Sequence, residues 1–299
     1  MSVLVLGATG LIGNRLVRTL KKDFEVFGTT RKPKLSKKFT EQMLEASHWL
    51  LNSSPTDFSV LEREVRSLKP NIIVNCLGVI KSKLSMFDVE ESISVNALFP
   101  HQLSKLCRNN GIRLIQLSTD CVFSGDKGNY VESDVPNPVD IYGRTKSLGE
   151  LVNDHDLTIR TSFVGREIDS FTNLFEWAIR NKNSRIVGYP RAIYSGLTTL
   201  ALANVIRDVI HNQQNLVGLW HVSSESISKY QLLSLLNSVL SLNIDIEIDE
   251  TFVCNRSLNS DAFRNKTTMT VPSWTEMLDD FAKDQDWYDT FLSGELSSR

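Results

Sequence analysis

The 299-residue chain is 41% hydrophobic and 23% charged, with a mean hydropathy of −0.15. That composition is ordinary for a globular protein and excludes a collagen-like, disordered or low-complexity chain. Its 33 basic and 35 acidic residues leave a formal charge of −2, so no global field draws it to nucleic acid or anionic lipid, and neither partner is expected.

The chain opens directly into a strand-like run, Ser2–Leu6, which is too short for the apolar core of a secretion signal and is stopped by Gly7. Val3 to Leu6 predicts a buried strand. The helix that follows from about Gly10 puts Leu11, Ile12, Leu16, Val17 and Leu20 on one side. A second strand is expected over 24–29, a helix over 57–68 capped by Asp57 or Thr56, and a third strand over 71–77. A long helix over 89–109 comes next, then a strand over 112–118, a helix over 142–153 and a strand over 157–161. Continuous apolar strands separated by helices demand a parallel sheet covered on both faces. The expected fold class is therefore α/β, a doubly wound Rossmann sheet.

After Phe163 the rhythm changes. Helices are expected over 171–181, 198–212 and 228–240, with short strands over 185–187, 219–222 and 244–248, while 255–264 shows no clear period. Trp177, Trp220 and Trp274 lie among apolar neighbours and read as core. The reading is a Rossmann unit over 1–162 and a smaller lobe over 163–299, some of whose segments return to the first unit. Residues 294–299 read as a frayed tail. No run of roughly 18 apolar residues marks a membrane span. Cys76, Cys107, Cys121 and Cys254 form no C-x-x-C pair and have no His at ligand spacing. They read as free thiols in a cytoplasmic protein with no metal site.

The first strand runs into Gly7-Ala8-Thr9-Gly10-Leu11-Ile12-Gly13. Gly7 allows the tight turn, Gly10 leaves room for a pyrophosphate, and Gly13 lets the helix pack on the strand. The helix N-terminus offers free N–H groups to the phosphates, with Thr9, Leu11 and Ile12 beside them. The strand before the pattern and the periodic helix after it supply the context that a dinucleotide site requires. At the end of the second strand stands Thr29-Thr30-Arg31-Lys32 rather than a ribose-binding carboxylate. Arg31 suits a 2′-phosphate, so NADP(H) is favoured over NAD(H).

Tyr142 and Lys146 stand four residues apart on one helix face. Delivery of a hydride to a ketone leaves an alkoxide, which needs an aligned proton donor. A phenol is a weak acid, and a nearby ammonium is expected to lower its pKa. Lys146 is also placed to bind the nicotinamide ribose. A strand ends at Leu117-Ser118-Thr119-Asp120, at the sheet edge where ligands lie. Thr119 is the expected partner of the substrate carbonyl, with Ser118 in reserve.

Five segments share family order and spacing: Gly7–Gly13, Asn75–Gly78, Val95–Ala97, Leu117–Gly125 and Tyr142–Glu150. Together they resemble the extended short-chain dehydrogenases/reductases, most closely the dTDP-4-dehydrorhamnose reductase family. Glu132, Asp134, Pro136 and Pro138 fill the interval in which that family has Glu, Asp and Pro. The resemblance covers about residues 1–165, and it implies a nucleoside-diphosphate 4-keto-6-deoxysugar as substrate, in the synthesis of polysaccharide precursors. It also implies Thr119, Tyr142 and Lys146 as catalytic residues, and Asn75, Gly78, Val79, Ser118, Ser162 and Val164 beside the cofactor. Asn96 matches a residue that orders the catalytic helix, and a homodimer is common in the group.

Two departures stand out. Cys121 replaces the family's usual Tyr and reads as a small wall residue beside Val122 and Phe123 rather than as a nucleophile. The stretch Gly188–Thr199 also differs from the family, which leaves the exact sugar open. Asn173, Arg185 and Arg256 are candidate substrate contacts, the two arginines as clamps for a diphosphate. Two other functions use the same framework. One is an epimerase or dehydratase that retains NAD, and the other is a regulatory subunit that binds NADP without turnover.

Overall fold

In a computed structural model, the structure describes residues 1–55, 57–80, 89–169 and 171–296. Thr56, the alternative helix cap, and residues 297–299 of the expected tail lie outside them. Residues 294–296 do not fray but belong to the last helix.

A seven-stranded parallel sheet forms the centre. It is built from β1 (Ser2–Leu6), β2 (Glu25–Thr29), β3 (Trp49–Leu50), β4 (Ile72–Asn75), β5 (Arg113–Thr119), β6 (Leu157–Thr161) and, from the second half of the chain, β11 (Gly218–His221). The spatial order is β11-β6-β5-β4-β1-β2-β3, so the strand order reverses beside β1, where ligands of such sheets bind. Period-two alternation explains the two-sided burial. Val3 and Val5 enter one apolar core with α1 (Leu11–Leu20), while Leu4 and Leu6 enter another with α3 (Phe58–Leu68) and α5 (Phe99–Asn110). Between β2 and β3 lies a short helix, α2 (Lys37–Gln42).

The helix expected over 89–109 is not uniform. It runs as α4 (Val89–Ser92), a π-helical segment (Ile93–Leu98) and α5. The inserted π turn carries Asn96, and such turns recur at functional sites. The helix with Tyr142 and Lys146, α6 (Ile141–Leu148), starts at an Asp140 cap whose side chain accepts from the Gly143 N–H at 2.8 Å. It ends at Leu148, earlier than the sequence pattern predicts.

The remainder is a layer of short strands and helices: β7 (Phe163–Val164), α7 (Leu174–Arg180), β8 (Arg185–Gly188), β9 (Ala192–Tyr194), β10 (Leu197–Thr198), α8 (Thr199–Asn212), β12 (Ile227–Ser228), α9 (Lys229–Leu240), β13 (Asp245–Ile248) and β14 (Cys254–Asn255). Helices α10 (Asp261–Thr267), α11 (Trp274–Lys283) and α12 (Gln285–Leu296) close the chain. They return to the first helix: Asp284 pairs with Arg15 at 2.7 Å and Arg18 at 2.9 Å, and the Tyr288 hydroxyl donates to Asn14 at 3.0 Å. Trp274 is core, as expected, but Trp177 is 40% exposed, on the outer side of a short helix. Among the described residues no helix is long and apolar enough to cross a membrane, and no group of three or more metal-ligating side chains stands together.

Candidate active site

Three connected hollows run along the carboxyl ends of the sheet strands. A groove of about 410 Å³ is lined by Gly7, Thr9, Gly10, Thr30, Arg31 and Gly78, among others. It shares Cys76, Leu77 and Gly78 with a narrow hollow of about 80 Å³ that reaches Ile12, Ser118, Tyr142 and Lys146. Phe163 then joins this hollow to a pocket of about 280 Å³ containing Asp120, Cys121, Ser162, Val164, Asn173 and Arg256.

The groove fits a dinucleotide phosphate bridge. Gly7 turns the chain at φ +76°, and a side chain at Gly13 would overlap the Gly7 carbonyl oxygen. The loop is tied to β2 by Gly7 N–H donating to Thr29 Oγ1 at 2.9 Å and Ala8 N–H to the Thr29 carbonyl at 3.1 Å. Gly10 occupies the cap position of α1 with no side-chain cap. The first-turn amides, from Leu11 onward, therefore have neither an intrahelical nor a capping partner and face the groove end with the positive helix dipole. Arg31 lines the far end. Its side chain is 68% exposed and makes a long 3.8 Å contact to Glu91, a surface pairing of little strength that a phosphate can replace.

Two expected cofactor contacts are used differently. The buried Asn75 amide donates to Gln116 Oε1 at 2.7 Å, and its Oδ1 accepts from Leu77 N–H at 3.1 Å. Its side chain shapes the turn after β4 and is not offered to a ligand. Val79 presents its backbone to Asn96, whose Oδ1 accepts from Val79 N–H at 2.9 Å and whose Nδ2 donates to Val79 O at 3.0 Å. The same Nδ2 donates to Thr145 Oγ1 at 3.2 Å. Asn96 thus braces the cofactor-side loop against α6, the ordering role its position suggests.

At the end of β5 the two hydroxyls separate. Ser118 Oγ donates to Glu150 Oε1 at 2.6 Å, which removes it as the reserve carbonyl partner. Thr119 Oγ1 donates to Asp120 at 3.1 Å and accepts from Cys121 N–H at 3.1 Å, and Thr119 lies near enough to the Tyr142 phenol to act on its ionisation. The close fit of α6 depends on Gly143, where any side chain would overlap the Cys121 carbonyl oxygen. Lys146 is 6% exposed and its Nζ donates to the Leu117 carbonyl at 2.7 Å.

The electrostatics differ from the expectation of a lowered phenol. Burial, with Cys121 and Asp120 adding to it, pushes the Tyr142 phenol above its ordinary value, opposed by the Thr119 hydroxyl nearby. Tyr142 is therefore held protonated. Burial pulls Lys146 down to about 8, while the Glu150 carboxylate opposes the fall. Glu150 itself is gripped by Arg160, Nε to Oε1 and Nη2 to Oε2, both at 2.7 Å. Sequence reasoning assigned neither Glu150 nor Arg160 a part in the site.

In the 280 Å³ pocket, Cys121 is a wall residue whose thiol is pushed up to about 12, chiefly by burial, so it is no nucleophile. Arg256 borders the pocket, with Nε donating to the Phe123 carbonyl at 2.9 Å. Three substrate candidates are corrected. Val122 and Phe123 are fully buried in a small core with Tyr130 and Leu258, the Phe123 and Tyr130 rings stacked 4.1 Å apart. Arg185 lies outside the cleft with its side chain 66% exposed, paired across β8 and β13 with Asp245 at 2.9 Å and Glu247 at 3.0 Å. Tyr194, from the stretch that differs from the family, lines the pocket, and so does Lys229, which the sequence did not mark.

Residues 1–242 match the family model described as the RmlD substrate binding domain. The chain belongs to this family. Among the relatives of this RmlD-family chain is a dTDP-4-dehydrorhamnose reductase of Aggregatibacter actinomycetemcomitans, 25% identical over 75% of this chain and 73% of the relative. Another is the methionine adenosyltransferase 2 subunit beta of Danio rerio, 26% identical over 80% of this chain and 74% of the relative. Among solved structures, a dTDP-4-dehydrorhamnose reductase of Bacillus anthracis in complex with NADP superimposes with a TM-score of 0.77 at 24% identity. It covers 94% of this chain and 98% of its own.

Proposed function

We propose that this protein is an NADPH-dependent reductase of the 4-keto group of a nucleoside-diphosphate 4-keto-6-deoxysugar, acting in the synthesis of polysaccharide precursors. The observation that carries the reading is that Tyr142 and Lys146 line one hollow, which shares Cys76, Leu77 and Gly78 with the glycine-loop groove and Phe163 with the second pocket, while Thr119 acts on the Tyr142 phenol from the end of β5. The dTDP-4-dehydrorhamnose reductase relative and the NADP held by the structural relative support it.

A nicotinamide bound beside Ser118, Tyr142 and Lys146 supplies the hydride. Residues 1–162 hold the dinucleotide: the α1 amides bind its phosphates, and Arg31 binds the 2′-phosphate. Residues 163–299 shape the substrate pocket, with Arg256 for the diphosphate and Asn173 beside the sugar. Thr119 positions the carbonyl oxygen. Tyr142 hands its proton to that oxygen as negative charge develops there, and the Lys146 ammonium, within reach of the same hollow, binds the ribose and steadies the phenolate left behind. We place the enzyme in the cytoplasm, in line with its free cysteines. We also propose a homodimer, supported by the exposed Ile93, Leu98 and Leu148 on the mutually packed helices beside the site.

The similarity to the methionine adenosyltransferase subunit favours a second reading, a subunit that binds NADP without turnover. Loss of NADPH absorbance with a panel of 4-keto sugar nucleotides decides between them. Turnover supports the reductase, and NADPH binding with no oxidation of any sugar supports the subunit.

A further inference from the structure

Tyr194 ends β9, where it pairs with Ile227 of β12, and its ring rests against Trp274 with centroids 5.4 Å apart. It is only 7% exposed. Its buried hydroxyl has no hydrogen-bond partner among the described residues, and Tyr194 lines the pocket that holds Asp120, Cys121 and Arg256. The Asn173 side chain shares this condition. Its Oδ1 caps α7 by accepting from Phe175 N–H at 2.9 Å, while its Nδ2 is buried without a partner among the described residues, and Asn173 lines the same pocket. Among the described residues the other buried polar side-chain atoms without partners are arginine Nε atoms of residues outside this pocket. A buried hydroxyl or amide left unpaired destabilises the fold, so two of them on residues that line one cavity point to a place for a polar ligand.

The position of Tyr194 narrows the choice of ligand atom. Tyr194 and Asp120 line the same pocket, and burial, and then the Asp120 carboxylate, push the Tyr194 phenol well above the ordinary value. Asp120 accepts from the Thr119 hydroxyl at 3.1 Å, so the ring atoms next to a carbonyl held by Thr119 would enter the pocket that Asp120 and Tyr194 line. In a 4-keto-6-deoxy ring, the carbons next to the carbonyl carry a hydroxyl at C3 and a methyl-bearing centre at C5. Resting on the reductase reading, we propose that the Tyr194 hydroxyl reads the C3 hydroxyl of the sugar and makes it a requirement for turnover, with Asn173 Nδ2 as a second donor to the ring.

Tyr194→Phe keeps the ring and its packing on Trp274 while removing the hydroxyl. The test compares wild type and Y194F on dTDP-4-dehydrorhamnose and on its 3-deoxy analogue, with NADPH in both cases. Y194F is expected to lower kcat/KM about tenfold on the parent sugar and to leave it unchanged on the analogue. Ligand-free Y194F is expected to melt about 1–3 °C higher, because an unpaired buried hydroxyl is gone. Equal losses on both sugars, no loss on the parent, or a lower melting temperature overturns the assignment to Tyr194 and leaves the reductase reading standing. A wild type that oxidises no NADPH with the parent sugar overturns the reductase reading, and the role of Tyr194 falls with it.

Discussion

Replacing Glu150 by Gln leaves the shape of the site nearly intact and removes one buried charge. The carboxylate holds Arg160 through two 2.7 Å bonds and Ser118 through one of 2.6 Å. The Arg160 and Glu150 side chains are 4% and 5% exposed. An amide leaves the guanidinium uncompensated, because its other neighbour, His221, has been pulled down to about 4 by burial and by Arg160 itself and is neutral. Breaking one side of such a buried pair costs about 3–5 kcal/mol, a large share of a total stability of about 5–15 kcal/mol. The substitution also removes a field that keeps Lys146 charged. The groups that face Lys146 are Glu150 and Cys76, both raising its pKa against burial, together with the Leu117 carbonyl. Its native pKa of about 8 lies below the free value of 10.5, so the unfolded chain binds the extra proton. Lys146 therefore weakens the fold below pH 8, and that loss is recovered as pH rises from about 8 to 10.5. Glu150→Gln moves the lower edge of this window down, and reductase activity that needs the ammonium fails at a lower pH. Urea unfolding and the pH profile of kcat read the two effects. A loss below about 1 kcal/mol together with an unmoved profile refutes the argument. The double variant E150L/R160M, which removes both charges, is expected to recover most of the stability.

Three further outcomes follow from the same geometry. Arg31→Ala is expected to raise the KM for NADPH about tenfold or more while leaving that for NADH nearly unchanged, as read by initial rates with each cofactor. Gly143→Ala forces α6 away from the Cys121 carbonyl, and because a 1 Å misplacement is worth about 100-fold, kcat is expected to fall by that order while NADPH binding by fluorescence persists. Cys121→Ser is expected to hold kcat within about threefold of wild type in the same rate assay, since a thiol pushed up to about 12 supplies no thiolate.

The glycine turn, the parallel sheet and the Tyr142–Lys146 helix were legible because each rests on a short-range pattern: a turn that needs positive φ, apolar runs of strand length, and side chains one helical turn apart. What was not legible depends on partners distant in sequence. The π turn around Asn96 exists in company with Val79 and Thr145, which a helical periodicity over 89–109 does not reveal. Arg185 looked free for a phosphate until β8 paired with β13 and brought Asp245 and Glu247 beside it. Phe123 follows β5 closely enough to suggest the pocket wall, yet its stacking on Tyr130 turns it into core. The lowered phenol expected from Tyr142 and Lys146 alone reversed because burial, set by the whole fold, dominates, with Cys121 and Asp120 adding to it. Short strands such as β7, β10 and β12, two residues each, leave too little pattern to read.

The most direct measurement is single-turnover oxidation of NADPH by the wild type and by Tyr142→Phe on dTDP-4-dehydrorhamnose. The account predicts rapid oxidation by the wild type, a rate about 100- to 10,000-fold lower in the variant, and unchanged NADPH affinity. Full-rate oxidation by the variant would contradict it, because the proton would then come from somewhere other than the phenol beside Thr119.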